Sequence, residues 1–221
     1  MDQPSEELLM QAATTRYPSP IAQQAAPLSD EAKITQIAQH FSEIMQLLGL
    51  NLADPALAET PNRVARMYVT ELFSGLNPAK FPSIRYIENP MTKQGTPNLI
   101  FLELSFFSMC EHHFVPMQGK VYVGYYPQEK LFGFSDVSRI VRFFALRPQI
   151  QERLTAQIAD SLATLLGHEE VAVAIKAHQA CMSMRGSEDT HSSTTTHVLR
   201  GSFQTNPLSQ QEFFAALRNA R

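Results

Sequence analysis

Several features that sort proteins into broad classes are absent or nearly absent from this sequence. It has no tryptophan and only two cysteines in 221 residues, which excludes a disulfide-rich scaffold and a zinc site built from four cysteines. The longest apolar runs fall well short of the roughly 20 residues that a membrane-spanning helix needs. A formal net charge of −3 argues against general electrostatic binding of nucleic acid. We therefore expect neither a membrane nor a nucleic acid as partner.

The amino terminus and the cysteine count both bear on the compartment. The first seven residues, MDQPSEE, are acidic, and a basic segment followed by an apolar one is missing, so a secretory signal is not expected. Two cysteines could form one disulfide, but nothing in the sequence indicates the oxidising compartment that a disulfide requires. We expect a cytoplasmic protein whose cysteines are available to bind a metal.

The hydrophobic content is sufficient for a core, and phenylalanine is the main large packing residue. Hydrophobic residues make up 44% of the chain, which contains 14 phenylalanines. The length suits one domain with a tail. Residues 1–30 contain four prolines and no sustained apolar period, which predicts a mobile or partly helical extension. Residues 31–221 are predicted to form the folded domain.

Helical and strand periodicities divide the domain into blocks. Apolar residues recur at helical spacing in residues 31–50, 60–73, 135–145, 149–166 and 209–220, and strand candidates are residues 83–88, 99–108, 118–126, 171–184 and 194–203. This order predicts an α+β fold in which helices cover one face of an antiparallel sheet. The edges of so small a sheet are usually covered or paired, so we expect a homo-oligomer in which strands of several subunits close a barrel or ring.

A short run of metal-binding residue types follows the strand predicted at 99–108. Cys110 and His113 have the Cys-x-x-His spacing that lets both side chains bind one ion, and Cys181 is the other cysteine. Three protein ligands leave a coordination position for water, which is typical of a catalytic metal. Zinc suits these donors, and iron could occupy them as well. The alternative is that Cys110 is a small buried hydrophobic residue.

Further short motifs are spread along most of the chain. The metal-binding run is followed by Gly119-Lys120-Val121 and Gly124-Tyr125. The other segments are residues 59–63 (ETPNR), 73–76 (FSGL), 139–141 (RIV), 147–149 (RPQ), 151–154 (QERL) and 181–186 (CMSMRG). Together these motifs resemble the GTP cyclohydrolase I family, and the resemblance covers about residues 31–218 without large gaps.

This resemblance implies the tunnelling fold, in which antiparallel strands from several subunits close a barrel, and a decamer built as a dimer of pentamers. It implies zinc bound by Cys110, His113 and Cys181, in a catalytic domain of residues 31–221. The family reaction hydrolyses GTP at C8, releases formate and recloses the ring as 7,8-dihydroneopterin triphosphate, the entry to folate and tetrahydrobiopterin.

The resemblance also assigns substrate-binding positions residue by residue. Glu152 matches the carboxylate that accepts hydrogen bonds from the guanine edge, with Gln151 and Ser135 beside it. Glu111 is assigned to the substrate as well. Three arginines match the triphosphate clamp: Arg63, Arg139 and Arg185. Guanidinium groups suit phosphate oxygens because they donate hydrogen bonds in pairs.

The expected catalytic positions include one that departs from the family. His112 is free to transfer protons if His113 binds the metal. The family has a second histidine two residues before the later zinc cysteine, where this chain has Gln179, and His178 lies one residue earlier. In a strand, a shift of one residue turns the side chain to the opposite face. His178 is therefore expected to replace the missing histidine only if a bulge changes the register.

A second departure lies on the phosphate side. Asp136 stands where the family usually has a lysine near the triphosphate, so one attraction is lost and one repulsion is added. Three alternatives follow from the two departures: a working cyclohydrolase, a paralogue that stops at the ring-opened product or uses another purine or pterin, and a non-catalytic ring subunit.

Overall fold

The computed structural model describes residues 3–16, 18–22, 28–91, 98–185 and 189–220. The helices of this part of the chain are α1 (Glu6–Thr14), α2 (Asp30–Leu47), α3 (Thr60–Met67), α4 (Phe134–Ala145), α5 (Gln151–Leu166), α6 (Ala180–Ser183), α7 (Ser202–Thr205) and α8 (Pro207–Asn219). The strands are β1 (Tyr86–Glu88), β2 (Ile100–Cys110), β3 (Pro116–Tyr125), β4 (Lys130–Phe132), β5 (Pro148–Gln149), β6 (Val171–Gln179) and β7 (Thr194–Leu199). Within the described residues, no helix is long and apolar enough to cross a membrane.

Five strands form the main sheet, in the order β5-β2-β3-β6-β7. Neighbouring strands are antiparallel except β5, whose two residues pair in parallel with the end of β2. Strands β3 and β6 keep one continuous register from the pair Tyr125–Val171 to the pair Met117–Gln179. Because this register has no bulge, side chains along β6 alternate strictly between the two faces up to Gln179.

Helices α4 and α5 cover one face of the main sheet and form the principal core with it. The apolar period of the two helices places Ile140, Phe144, Leu154, Ile158 and Leu162 in this core, each 1% exposed or less. The strand residues of the same core include Leu102, Phe106, Val121, Val123, Tyr125, Val171, Val173 and Ile175. The predicted α+β class, with helices layered on an antiparallel sheet, is confirmed. Closure of a barrel by further subunits stays a prediction.

The opposite face of the sheet is covered by the last two helices at one end. Phe203 of α7 and Phe213 of α8 pack there in a second, smaller core with Tyr122, Ala172 and Ala174. The sequence predicted α8 but not α7, because residues 200–203 were taken into the preceding strand. Gly201, with φ 53°, turns the chain at that point.

Several predicted elements end earlier or later than expected. The strand predicted at 171–184 was wrong beyond Gln179, since Cys181 lies in the short helix α6 that follows. The strand predicted at 83–88 is reduced to β1. Strands β4 and β5 were missed because two or three residues show no recognisable period. Ser29 caps α2, with its side chain accepting from the Ala32 N–H at 3.2 Å.

The helix predicted at residues 60–73 is an α-helix only as far as Met67. Tyr68–Leu72 form a π-helical turn. Gly75 then passes so close to the end of α4 that a Cβ atom on it would lie 2.0 Å from the carbonyl oxygen of Phe143. The Gly75 N–H donates to the carbonyl of Leu146 at 2.9 Å. This backbone contact joins the segment after α3 to the core and requires glycine at position 75.

The N-terminal extension contains a helix that packs on the domain. Ala12 and Ala13 of α1 are buried in the principal core, and the N–H of Arg16 donates to Asp160 of α5 at 3.0 Å. The extension is therefore partly helical, as predicted, and its helix is α1. The predicted mobility and the boundary at residue 30 stay predictions, and residues 1–2, 17 and 23–27 lie outside the described residues.

Candidate metal centre and substrate site

The metal-binding run lies in the tight turn between β2 and β3. Cys110, the last residue of β2, is buried, and its N–H donates to the carbonyl of Val115 at 2.8 Å. The N–H of Phe114 donates back to the carbonyl of Cys110 at 2.9 Å. We call residues 110–115 the metal loop. These two hydrogen bonds close the loop and bring the side chains of Cys110 and His113 to one side.

Phe114 has a backbone conformation that is unusual for its residue type. Its φ is 53°, and the left-handed conformation costs a non-glycine residue about 1–2 kcal/mol. Its ring lies 5.2 Å from Phe73 in an edge-to-face contact and 6.5 Å from Tyr68, measured between centroids. Tyr68 and Phe73 are themselves 5.1 Å apart. The three rings join the metal loop to the π-helical turn.

Cys110, His113 and Cys181 converge as the sequence predicts. One ligand atom from each residue can be chosen so that all three lie within 4.8 Å of one another. Two ligands of one zinc ion lie at most about 4.6 Å apart, because Zn–S bonds are about 2.3 Å long. Across residues 3–16, 18–22, 28–91, 98–185 and 189–220, no fourth His, Cys, Asp or Glu joins the group. Both cysteines are free thiols, so no disulfide joins them.

The donor set fits a transition metal on chemical grounds. The pKa of the Cys181 thiol is raised, first by burial and then by the charge and hydrogen bonding of Cys110, while the charge of Arg185 acts in the opposite direction. Two thiolates at this distance repel each other, and a divalent cation between them removes that repulsion. Two sulfurs and one imidazole nitrogen are donors that zinc accepts readily.

Glu111 connects the metal loop to the first turn of α5. Its carboxylate accepts two hydrogen bonds from the guanidinium of Arg153, one of them at 3.2 Å, and both side chains are less than one-fifth exposed. The Arg153 hydrogen bond holds the pKa of Glu111 below its usual value, and the charges of Arg153 and His112 act in the same direction. The exposed His112 ring lies 3.7 Å from the same carboxylate.

The end of β6 places residues 178 and 179 on opposite faces of the sheet. The side-chain amide of Gln179 donates to Gln151 at 2.8 Å and contacts the sulfur of Met117 at 3.0 Å. His178 is exposed, and its Nδ1 lies 2.9 Å from the carbonyl oxygen of Ser192. The register prediction is confirmed, since no bulge turns His178 towards the face of Gln179. Catalytic roles for these two residues stay proposals.

The first turn of α5 carries two of the three residues assigned to the guanine edge, Gln151 and Glu152. Gln151 is buried, and its amide nitrogen donates to the carbonyls of Ile175 and Thr194 at 3.0 and 2.9 Å. Its side-chain oxygen accepts from Gln179, so the Gln151 amide is engaged within the chain. Glu152 is exposed and, among the described residues, has no hydrogen bond or ion pair. Of the two, Glu152 is the one whose side chain is available to a ligand.

The residues assigned to the triphosphate lie on three separate segments. Arg63 is exposed on α3, Arg139 is on the first half of α4 near the exposed Ser135, and Arg185 follows α6. Arg139 forms an ion pair with Asp136, whose side chain is 5% exposed. Asp136 also accepts from the N–H of Arg85 at 3.4 Å. The carboxylate of Asp136 therefore points into the protein and forms an ion pair with Arg139.

Two residues of this region were missed as functional candidates. Arg153 lies within the QERL segment, but its bond to Glu111 depends on a contact between residues 42 positions apart. Phe114 follows His113 directly, yet nothing in its residue type signals a left-handed conformation, which usually calls for glycine or asparagine. Gly186, part of the segment matched in the sequence, lies outside the described residues.

Comparisons with known proteins agree over most of the chain. A family model described as GTP cyclohydrolase I matches residues 37–218. The chain is 49% identical to GTP cyclohydrolase 1 of Edwardsiella ictaluri (strain 93-146) over 193 residues, which are 87% of each protein. It is 46% identical to GTP cyclohydrolase 1 of Aeromonas hydrophila subsp. hydrophila over 213 residues, 96% of this chain and 97% of the relative. GTP cyclohydrolase 1 of Tolumonas auensis is 48% identical over 87% of this chain and 88% of its own length.

Proposed function

The chain belongs to the GTP cyclohydrolase I family, and from this membership we propose that it is a zinc-dependent GTP cyclohydrolase I. The proposed reaction hydrolyses GTP at C8 and yields formate and 7,8-dihydroneopterin triphosphate. The single observation that supports it most is the convergence of Cys110, His113 and Cys181 without a fourth His, Cys, Asp or Glu from the described residues. A metal held in this way keeps a position for water or substrate.

The residues around the metal loop have the properties that hydrolysis requires. Bound at these three residues, zinc would supply a Lewis acid for attack on the guanine ring. His112 is exposed beside this position, and an imidazole can both donate and accept a proton, so it is proposed to carry protons to and from the substrate. Glu111, fixed by two hydrogen bonds from Arg153, limits where the His112 ring can lie.

Substrate binding is proposed to use the exposed groups around this loop. Glu152 offers a free carboxylate to the N–H donors of guanine, with Gln151 behind it as a buried support. Ser135 is proposed to lie beside Glu152 at the guanine. Three arginines are proposed to bind the triphosphate: Arg63, Arg139 and Arg185. Arg185 lies close enough to the centre for its charge to act on Cys181.

The proposed partner is further copies of this chain. Among the described residues, β2 pairs with β5 only at its last two residues, and β7 pairs with β6 alone. These two sheet edges can accept strands of neighbouring subunits, as the barrel of the family implies. The decamer is proposed on the same ground.

A paralogue with altered chemistry is the second candidate, and position 179 favours it. Gln179 cannot carry a proton at neutral pH, and the unbroken register keeps His178 on the other face. An enzyme without this proton carrier would release formate slowly or stop at the ring-opened formamide. The departure at Asp136 leaves the metal donors untouched and bears on triphosphate affinity.

The test is to incubate the purified, zinc-loaded protein with GTP and to follow formate and pterin fluorescence together. Formate and pterin together support the full reaction. A ring-opened product without pterin supports the paralogue. Binding of a guanine nucleotide with neither product would contradict both and leave a non-catalytic ring subunit.

A further inference from the structure

The metal loop depends on one strained residue. Phe114 lies directly after His113 and has a left-handed backbone, with φ 53°. Among the described residues, Thr15 is the one other non-glycine residue with positive φ. Non-glycine residues keep such a conformation when the surrounding structure holds them there.

The position of Phe114 determines the path of the loop. Its N–H donates to Cys110 at 2.9 Å, and the next residue, Val115, accepts from the Cys110 N–H at 2.8 Å. The left-handed residue therefore reverses the chain between β2 and β3 while keeping His113 on the same loop as Cys110. If Phe114 relaxed to an extended conformation, both hydrogen bonds would break and His113 would leave the group that it forms with Cys110 and Cys181.

Two rings outside the loop hold Phe114 in place. Phe73 packs edge-to-face at 5.2 Å with an interplanar angle of 72°, and Tyr68 lies at 6.5 Å. We call Tyr68, Phe73 and Phe114 the aromatic clamp. Tyr68 begins the π-helical turn and Phe73 follows it. Such turns are rare and occur frequently at functional sites, and here the turn brings both rings to the metal loop.

We propose that the aromatic clamp positions the metal centre, with Phe114 as the positioning residue for His113. The inference rests on the metal site of the proposed function but not on the identity of the substrate. Phe114 contributes no metal donor and is 46% exposed, so simple core packing does not account for its strained backbone. Groups that orient metal ligands from outside typically change metal affinity by about 10–100-fold when they are mutated.

The first measurement compares two phenylalanines of similar exposure. Phe114→Leu removes an aromatic ring from the clamp, whereas Phe107→Leu alters a residue of β2 that is 38% exposed and lies outside the clamp. Each full-length variant is titrated with Co²⁺ in the metal-free state, and the thiolate–cobalt absorption gives the dissociation constant. We expect Phe114→Leu to weaken cobalt binding by about 10-fold or more and Phe107→Leu to leave it unchanged.

A second variant separates positioning from stability. Phe114→Gly relieves the left-handed strain but loses the ring, so the unfolding temperature of the metal-free protein should stay level or rise while cobalt affinity falls by about 10–100-fold. Phe114→Tyr keeps the ring and should restore the affinity of the parent. Cobalt affinities of Phe114→Leu and Phe114→Gly within about twofold of the parent would overturn the proposal. If neither variant folds, Phe73→Leu decides in the same assay, with the same expectation of weaker binding.

The same preparations distinguish this proposal from the proposed function. If the parent binds cobalt and the clamp variants bind it weakly, the positioning role holds even when the zinc-loaded parent releases no formate from GTP. If the parent does release formate and both Phe114→Leu and Phe114→Gly keep the parent's cobalt affinity, the enzyme assignment holds and the positioning role is wrong.

Discussion

The metal donors and the substrate-binding candidates are organised in opposite ways. Cys110, His113 and Cys181 meet within 4.8 Å inside one chain, and the first two lie on a loop closed by its own hydrogen bonds. The phosphate-binding candidates lie on separate segments, and Arg63 and Arg185 are exposed. Metal affinity should therefore be a property of the single chain, whereas substrate affinity should depend on how the exposed groups are brought together in the assembly.

Removing a metal donor should have the largest effect. Cys181→Ser replaces one thiolate by a weak ligand. Mutating residues that only support metal ligands lowers metal affinity by up to roughly 100-fold, so we expect a larger fall in zinc affinity here. Formate release should be lost. Zinc content after gel filtration and formate release are the measurements. Met184→Leu, at an exposed residue close by, is the control. Full zinc occupancy in Cys181→Ser would mean that the metal lies elsewhere.

Restoring a proton carrier at position 179 should have the next largest effect. Gln179→His places an imidazole on the face of β6 that carries the contact with Gln151. Positioned general acids and bases contribute about 10²–10⁴-fold, and we expect kcat for pterin formation to rise by about 10²-fold.

The matched control for this gain is His178→Gln, on the opposite face of the strand. We expect it to leave kcat unchanged. A lack of gain in folded, zinc-loaded Gln179→His would show that position 179 does not face the reacting atoms, and a loss in His178→Gln would assign the role to His178 instead.

Removing one exposed arginine should weaken substrate binding without affecting the metal. Arg185→Gln deletes the proposed charge-assisted hydrogen bond to phosphate. Such a bond typically contributes about 1.5–3 kcal/mol, so the KM for GTP should rise by about 10-fold or more. Steady-state kinetics and zinc content are measured together. If zinc is lost as well, the separation between metal centre and substrate groups is wrong.

Freeing Arg139 should have a smaller and opposite effect. Asp136→Asn keeps an oxygen that can accept from the Arg85 N–H but removes the charge paired with Arg139. Because an ion pair with one exposed partner contributes about 0.2–1 kcal/mol, we expect the KM for GTP to fall by roughly two- to fivefold. If Asp136→Asn leaves the KM for GTP unchanged and lowers the unfolding temperature, Asp136 contributes to stability alone.

The smallest effect is expected at a residue that belongs to neither group. Burial lowers the pKa of His168, against the weaker opposing charges of Glu170 and Glu169, so the folded protein favours the neutral ring. The contribution of His168 to the free energy of unfolding is fully present above about pH 6.5, the usual pKa of histidine. It decreases as the pH falls below that value, because the unfolded chain binds the proton more readily than the folded protein does. His168→Gln should reduce the loss of thermal stability between pH 7 and 5.5 and leave kcat and KM unaltered. An equal loss in both proteins would exclude His168 as the cause.

The sequence predicted those parts of the site that depend on residue type and spacing. The spacing of Cys110 and His113 and the scarcity of cysteine were sufficient to predict the metal group, and strand alternation was sufficient to separate His178 from Gln179. The contact of Asp136 with the Arg85 N–H, the engagement of Gln151 with β6 and β7, and the bond from Arg153 to Glu111 depend on which elements meet in three dimensions. No local pattern encodes those contacts, and for the same reason the end of β6 before Cys181 was misplaced.

The narrow gap at Gly75 has a consequence for which sequence changes the molecule can tolerate. Any side chain there would collide with a backbone carbonyl of α4 rather than with a group that can rotate away. The segment around Phe73, two residues earlier, would have to shift outward, and the Phe73 ring would then move away from Phe114. A single methyl group added at position 75, thirty-five positions before Cys110, is therefore expected to lower the metal affinity rather than to prevent the domain from folding.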